Sequence, residues 1–400
     1  MSITEQGLLE RDKDTMTLNM GPQHPSTHGV FRVVLEMDGE IVKSAEPHIG
    51  FLHTGIEKTG EHKRYVHCIP MTDRLDYLNP PQNNLAFSLT VEKLLGLDEM
   101  PPRADYLRVI MCELGRIGSH LIWLGTHALD IGAMTVFLYC WREREEILDL
   151  NEMISGVRMM TSYIRPGGVA FDSFPEWLDK VRQFVDHFPD KVDEYESLLT
   201  KNPIWLDRTQ EVGVMSAEDA MNWSMSGPVL RAAGIPFDWR KQRPYSRYNE
   251  FDFEVPVGEK GDVYDRYRVR VEEMRQSREI IKQALDRLPD GPYKLPDNKV
   301  SLPDRKTLHT SMEALIHHFK LVSDGVKVPA GETYVPTEGA RGEVGFYIVS
   351  DGGNTPLRMK LRAPSFMGIP GMCKMMEGAY IADVVAIIGS IDIVMGEVDR

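Results

Sequence analysis

Cysteine is scarce: Cys68, Cys112, Cys140 and Cys373 are the only four in 400 residues, and none forms a CxxC pair. That spacing excludes a zinc ribbon, a thioredoxin-like motif and a self-contained iron–sulfur site of the usual pattern. Scattered thiols fit a reducing compartment. Positive charge is also short, with 46 Lys and Arg against 60 Asp and Glu and a formal net charge of −14. Nucleic acid or an anionic membrane surface is therefore not the expected main partner, and the local run Arg240-Lys241-Gln242-Arg243 does not change this. Long apolar runs are missing too. Leu121 to Trp141 contains His127 and Asp130, with Arg116 and His120 just before it, while Val384 to Ile391 is short and bracketed by Asp383 and Asp392. Crossing lipid needs roughly 20 mostly apolar residues, so both read as buried segments of a soluble protein. Met1 to Lys13 is polar and acidic, which reads as a flexible N-terminus over 1–14 rather than a secretory or transit peptide. There is no GxSxG, no HExxH and no nucleotide fingerprint. Gly339-Ala340-Arg341-Gly342-Glu343-Val344-Gly345 is glycine-rich but precedes a strand, not the helix a phosphate loop requires.

What is present is ordinary for a globular protein, with 42% hydrophobic and 26% charged residues. Length alone suggests two or three domains. Val30 to Met37 reads as a strand that turns at Asp38-Gly39 into a return strand from Glu40 to Lys43. From about Arg103 to Ile154 the pattern is helical and long. Further helices are expected at Glu176 to Thr200, at Ala217 to Trp223 with Ser216 as cap, at Val263 to Leu288, at Leu308 to Val322 and at Gly378 to Ser390. Val344 to Ser350 and Leu357 to Ala363 alternate like paired strands around Asp351-Gly352-Gly353-Asn354. The segment Gly227 to Gly261 reads as a loop-rich surface wrap. The expected class is α+β, a helical core with β-hairpin decoration.

Three segments carry candidate chemistry. Gly21-Pro22-Gln23-His24-Pro25-Ser26-Thr27-His28-Gly29 places two imidazoles in a stretch whose prolines exclude a regular helix. A stiff loop holding histidine suits proton transfer or metal binding, or is simply a structural turn. Glu113, Arg116, His120, His127 and Asp130 fall on one helical arc among apolar neighbours. Such a stripe is either a proton-relay face or a set of internal salt bridges tying helices together. Asp73-Arg74-Leu75-Asp76-Tyr77-Leu78 joins two carboxylates, a cation and a phenol before a proline stop, and Tyr77 is either a proton donor or a satisfied buried hydroxyl. His317-His318 reads as a solvated pair, one ring inward and one outward.

Taken together, GPQHPSTHGV (21–30), DRLDYL (73–78), YIRPGG (163–168), GPVLRAAGIPFDWRK (227–241), YDRYRVRVEEMRQS (264–277), GEVGFYIVSDG (342–352) and IIGSIDIVMGEVDR (387–400) resemble the D-type subunits of the bacterial NADH:quinone oxidoreductases, respiratory complex I. The match runs in order from about residue 15 to the end. The resemblance implies a fold like the large subunit of nickel–iron hydrogenases: a central bundle of long helices with β-hairpins near both termini. It divides the chain into an N-terminal α/β region over 15–100 carrying quinone-site loops and a helical core over 101–400, the two forming one integrated unit. In hydrogenases two CxxC pairs hold the metal. The corresponding segments here, Asp73 to Tyr77 and Ser390 to Val394, lack cysteine, which leaves soft metals without ligands and the cavity free for an organic substrate.

By resemblance, His28 and Tyr77 hydrogen-bond the two carbonyl oxygens of a quinone head group, Asp130 orients the histidine, and Thr126 and Val394 line the pocket. No cofactor is expected on this chain. Quinone is the substrate, reduced by the terminal iron–sulfur cluster of a small neighbouring subunit. Other expected partners are the C-type neighbour and the membrane-arm subunit that carries the quinone tunnel, which places the chain peripherally on the cytoplasmic side of the cell membrane. Two departures from the family pattern stand out. Met160 replaces a histidine in Arg158-Met159-Met160-Thr161-Ser162-Tyr163, and Thr54 replaces an arginine. Losing a titratable group and a cation implies a cluster that is harder to reduce and less pH-dependent, as a menaquinone would suit. Two other readings remain: a scaffold without substrate contact, and an active hydrogenase, which the missing CxxC pairs oppose.

Overall fold

A computed structural model of the chain describes residues 15–27, 29–97, 99–297 and 299–400. The N-terminal expectation over 1–14 and His28 itself lie outside the described residues. Alternating apolar residues open the chain as an antiparallel three-stranded sheet of β1 (Met16–Met20), β2 (Arg32–Asp38) and β3 (Ile41–His48). Asp38-Gly39 makes the turn as expected, with Asp38 opposite Ile41. The inward residues Phe31, Val33, Leu35, Met37 and Val42 are buried. Two short helices, α1 (Ile56–Gly60) and α2 (Tyr65–Thr72), lead to α3 (Pro80–Leu95).

The expected long helix from Arg103 to Ile154 is two helices, α4 (Pro102–Asp130) and α5 (Met134–Ser155). They fold back on each other at Gly132, which takes a left-handed φ of 104°. Helical periodicity continues on both sides, so only this glycine marks the break. A two-stranded ribbon, β4 (Ile164–Arg165) and β5 (Gly168–Val169), precedes the amphipathic α6 (Pro175–Leu199) and the short α7 (Pro203–Thr209). α8 (Ala217–Asn222) is capped by Ser216, whose side chain accepts from the Asp219 amide.

The stretch from Gly227 to Gly261 is not a surface wrap. It contains α9 (Gly227–Ala232) and α10 (Trp239–Gln242), and it buries Arg231, Asp238, Arg240 and Tyr248 in the helical core. Its glycines and charges read as loop locally, but the charges are satisfied by residues far away in the chain. α11 (Val263–Asp286) lies against α4, capped by Asp262. The helix expected from Leu308 starts later, as α12 (Met312–Ser323), because Thr307–His309 forms a separate 3₁₀ turn. His317 and His318 are both half-buried rather than one in and one out.

The expected strand pair is β7 (Glu343–Ser350) and β8 (Arg358–Arg362), joined by an unforeseen β6 (Gly331–Glu338) in a second antiparallel sheet. α13 (Pro364–Met376), α14 (Ile381–Ile391) and α15 (Met395–Asp399) complete the chain. The architecture is α+β as expected. One apolar cluster fills the space among α4, α5, α6 and α11. A second joins the N-terminal sheet to α13, α14 and α15. A third sits between the C-terminal sheet and α2 and α3. Among the described residues no helix is long and apolar enough to cross a membrane.

Candidate functional site

The polar stripe of α4 separates into two functional parts. Its N-terminal half is an ion network inside the protein. Glu113 accepts from both Arg240 and Ser277, from Tyr248, and from Arg116 at 3.2 Å. Arg116 donates to the carbonyls of Glu338 and Gly339 at 2.6 and 2.8 Å. Arg231 holds Glu273 at 2.6 Å and Glu338 at 2.8 Å. Burial alone would neutralise Glu273, but Arg231 and His120 hold its carboxyl well below the usual carboxylate range. A carboxylate only accepts, so His120 donates through Nε2 at 2.8 Å, and desolvation keeps its ring neutral with a pKa of about 4. This half is the salt-bridge tie between helices.

The C-terminal half behaves differently. His127 is fully buried, stacks on Trp123 at 5.6 Å, and has neither ring nitrogen bonded among the described residues. It seats against Gly389 of α14, where a Cβ would stand 2.3 Å from its Nδ1. Trp123 donates to the Gly389 carbonyl at 2.7 Å, so α4 and α14 touch backbone to side chain. The Thr126 hydroxyl bonds back to the carbonyls of Ile122 and Trp123 in its own helix. One turn on, Asp130 meets the 3₁₀ turn Pro25–Thr27. Ser26 hydrogen-bonds its carboxyl and His24 stands close, although burial, the larger effect, raises its pKa. The sequence reading paired Asp130 with His28. Among the described residues its partners are Ser26 and His24. His24 serves the turn itself, its Nδ1 accepting from the Ser26 amide at 3.3 Å and its carbonyl from the Thr27 amide at 3.1 Å.

Tyr77 belongs to a neighbouring group of residues. Its ring lies against Gly396, where a Cβ would stand 3.2 Å from the ring and 2.6 Å from the Leu75 carbonyl. Only glycine allows that approach, and it brings Tyr77 beside the start of α15, two residues from buried Val394. The Tyr77 hydroxyl makes no hydrogen bond among the described residues. Desolvation raises its pKa, while Arg341 pulls it down. The segments Asp73 to Tyr77 and Ser390 to Val394 do converge. Arg341 donates to Asp76 Oδ2 at 2.8 Å and to Asp392 Oδ1 at 3.2 Å, and its Nε reaches the Asp392 carbonyl at 2.7 Å. Asp73 turns away from this group, accepting from the Ser162 amide at 3.1 Å and from its hydroxyl at 2.6 Å. That bond ties the Tyr77 turn to the loop of Met160, which is half-buried, whereas Thr54 is exposed.

α14 connects the two groups. The Pro25–Thr27 turn packs on both α4 and α14, and α14 ends at Asp392, which takes a left-handed φ of 60° and leads to Val394. Sequence reading missed Arg341, Asp392 and Glu397. The first had a signal: a lone cation between two glycines, at a strand turn otherwise apolar.

Residues 130–400 match the family described as the respiratory-chain NADH dehydrogenase, 49 Kd subunit. The NADH-quinone oxidoreductase D subunit of Geobacter metallireducens is 54% identical over 387 residues, covering 97% of this chain and 99% of that one. The D 1 subunit of Solibacter usitatus is 56% identical over 385 residues, covering 96% and 94%. The D 2 subunit of Chloroflexus aurantiacus is 54% identical over 390 residues, covering 97% and 95%.

Proposed function

The chain belongs to the family of the 49 Kd subunit of respiratory-chain NADH dehydrogenase, the D-type subunits of NADH-quinone oxidoreductases, and from that premise we propose that it forms the pocket in which the quinone head group is reduced. The observation that carries the proposal is a half-buried Tyr77 whose hydroxyl has no hydrogen bond among the described residues, on a chain whose Asp130 carboxyl is set separately against the turn that carries His24 and Ser26. Two-electron reduction puts negative charge on the quinone oxygens, and a phenol and an imidazole are suitable donors to stabilise and protonate them. Tyr77 supplies one proton. His28, two residues beyond the Ser26 that hydrogen-bonds Asp130, supplies the other, and Asp130 fixes its tautomer. Val394 and Thr126 line the pocket. The electrons come from an iron–sulfur cluster on a small partner subunit, and the chain sits in a peripheral arm on the cytoplasmic side, against the C-type and membrane-arm neighbours. The convergence of Asp76 and Asp392 on Arg341 supports a cavity like that of a hydrogenase large subunit.

Asp130→Asn tests this reading in the assembled complex. Asparagine preserves size but cannot hold an imidazolium, so kcat for quinone reduction is expected to fall about tenfold, with assembly intact. Unchanged kcat and KM across the neutral range would favour the scaffold reading instead.

A further inference from the structure

Behind Tyr77 lies a closed group of charges that the quinone pocket does not itself require. Asp76, Asp392 and Glu397 are each at least 95% buried, and so is Arg341 between them. Arg341 binds Asp76 and Asp392 directly. Glu397, from α15, is held by Ser365 of α13, whose amide donates to Oε1 at 3.0 Å and whose hydroxyl donates to the same oxygen. Glu397 Oε2 has no hydrogen bond among the described residues. Asp392 Oδ2 is buried and likewise unbonded. From α11, Arg270 faces Asp392, while its guanidinium donates to the Ile391 carbonyl at 3.3 Å and covers Trp123 at 4.4 Å. Among the described residues Tyr77 also faces the cluster.

Three buried carboxyls therefore face two buried guanidiniums. An uncompensated charge in such a place is costly, and one bound proton removes it. Two carboxylate oxygens without a donor leave room for that proton. The tyrosine ring packs on Gly396, the residue next to Glu397 in the chain, and Glu397 is among the charges that act on the tyrosine hydroxyl.

We propose that Glu397 carries this exchangeable proton and returns it to Tyr77 after the tyrosine has protonated the reduced quinone. The inference rests on the assignment of Tyr77 as a quinone donor. In the first step the tyrosine O–H breaks and a quinol O–H forms, leaving a tyrosinate beside Arg341. In the second the Glu397 O–H breaks and the tyrosine O–H is restored, leaving a carboxylate that Arg341 and the Ser365 donors stabilise. Solvent protons refill the cluster between turnovers. Glu397 acts through Tyr77 and is a positioning and relay residue.

Direction and pH follow from the environment. Burial first, then the negative charge of Asp76, raises the Glu397 pKa to about 7, and burial likewise raises Asp392 to about 6. Glu397 is therefore loaded below neutrality and empties as pH rises through that value.

The test uses the intact complex and decylubiquinone as the probe quinone. In the native complex kcat is expected to fall as pH rises through neutrality. Glu397→Gln is expected to lower kcat about tenfold at mildly acid pH, abolish that fall and leave KM for quinone unchanged. Glu397→Asp should restore a pH-dependent rate. If Glu397→Gln keeps the native rate and pH profile while Tyr77→Phe is inactive, the relay is wrong and the pocket stands. If both keep native activity, the pocket assignment has failed. Should Glu397→Gln not assemble, the reduced-minus-oxidised infrared spectrum of the native complex decides. Loss of a protonated carboxyl band during turnover supports the relay, and its absence at mildly acid pH overturns it.

Discussion

Replacing Tyr77 with phenylalanine is expected to lower quinone reduction in the assembled complex by about a hundredfold or more, while leaving the amount of complex unchanged. Both halves of this expectation come from one observation. The hydroxyl makes no hydrogen bond among the described residues, so removing it strands no buried partner and costs little stability. The ring remains, still packed against Gly396. Only the proton donor is lost. Electron transfer onto the quinone then develops an anionic oxygen with nothing at that position to stabilise it. Steady-state kinetics with decylubiquinone, alongside gel quantitation of assembled complex, separates the two halves. A large fall in assembly would mean that the hydroxyl has a structural partner, and normal turnover would return Tyr77 to the core.

The second large effect is on stability. Arg231→Leu is expected to destabilise the protein by about 3–5 kcal/mol, because it strands two buried carboxylates. Arg231 reaches Glu273 at 2.6 Å, Glu338 at 2.8 Å and the Phe237 carbonyl at 2.9 Å, all in the core. The sign of the pH dependence follows from Glu273. Its folded pKa lies far below the unfolded value, so the stability it contributes is present at neutral pH and is lost as pH falls through the acid range. Without Arg231 the stranded carboxyls gain protons easily. The gap between native and variant should therefore be wide at about pH 8 and narrower at about pH 5. Thermal melts of the complex at the two pH values measure it. A gap that is the same at both would mean that packing, not charge, sets the cost.

Much of the secondary structure could be read locally. Asp38-Gly39 specified a hairpin, Ser216 specified a helix start, and the alternation in Val344 to Ser350 specified a strand, because each signal lies within a few residues of what it controls. The misreadings have the opposite origin. Arg240 read as part of a local basic cluster in a loop-rich surface wrap, yet it binds Glu113, 127 positions away, at 3.1 Å. Charge in a sequence does not say whether its partner is water or another residue far along the chain. That is why Gly227 to Gly261 read as surface and belongs to the core. Likewise the α4 stripe was visible as a stripe, but only packing divided it into an ion network at Glu113 and an end at Asp130 that meets the Pro25–Thr27 turn. Tyr77 and Asp130 came from family resemblance. Their physical setting, a tyrosine ring on Gly396 and a carboxylate against Ser26, depends on contacts across more than 100 residues that no local pattern encodes.

The central claim is that a quinone head group binds between Tyr77 and the turn beside Asp130. Photo-crosslinking tests it most directly, using a short-chain quinone with an azido group on the ring and the assembled complex, followed by peptide mapping of this chain. Label is expected within 73–79 and 21–30, and to disappear when excess unmodified quinone competes. Competed label confined to other segments of the chain, or found only on other subunits, would contradict the account.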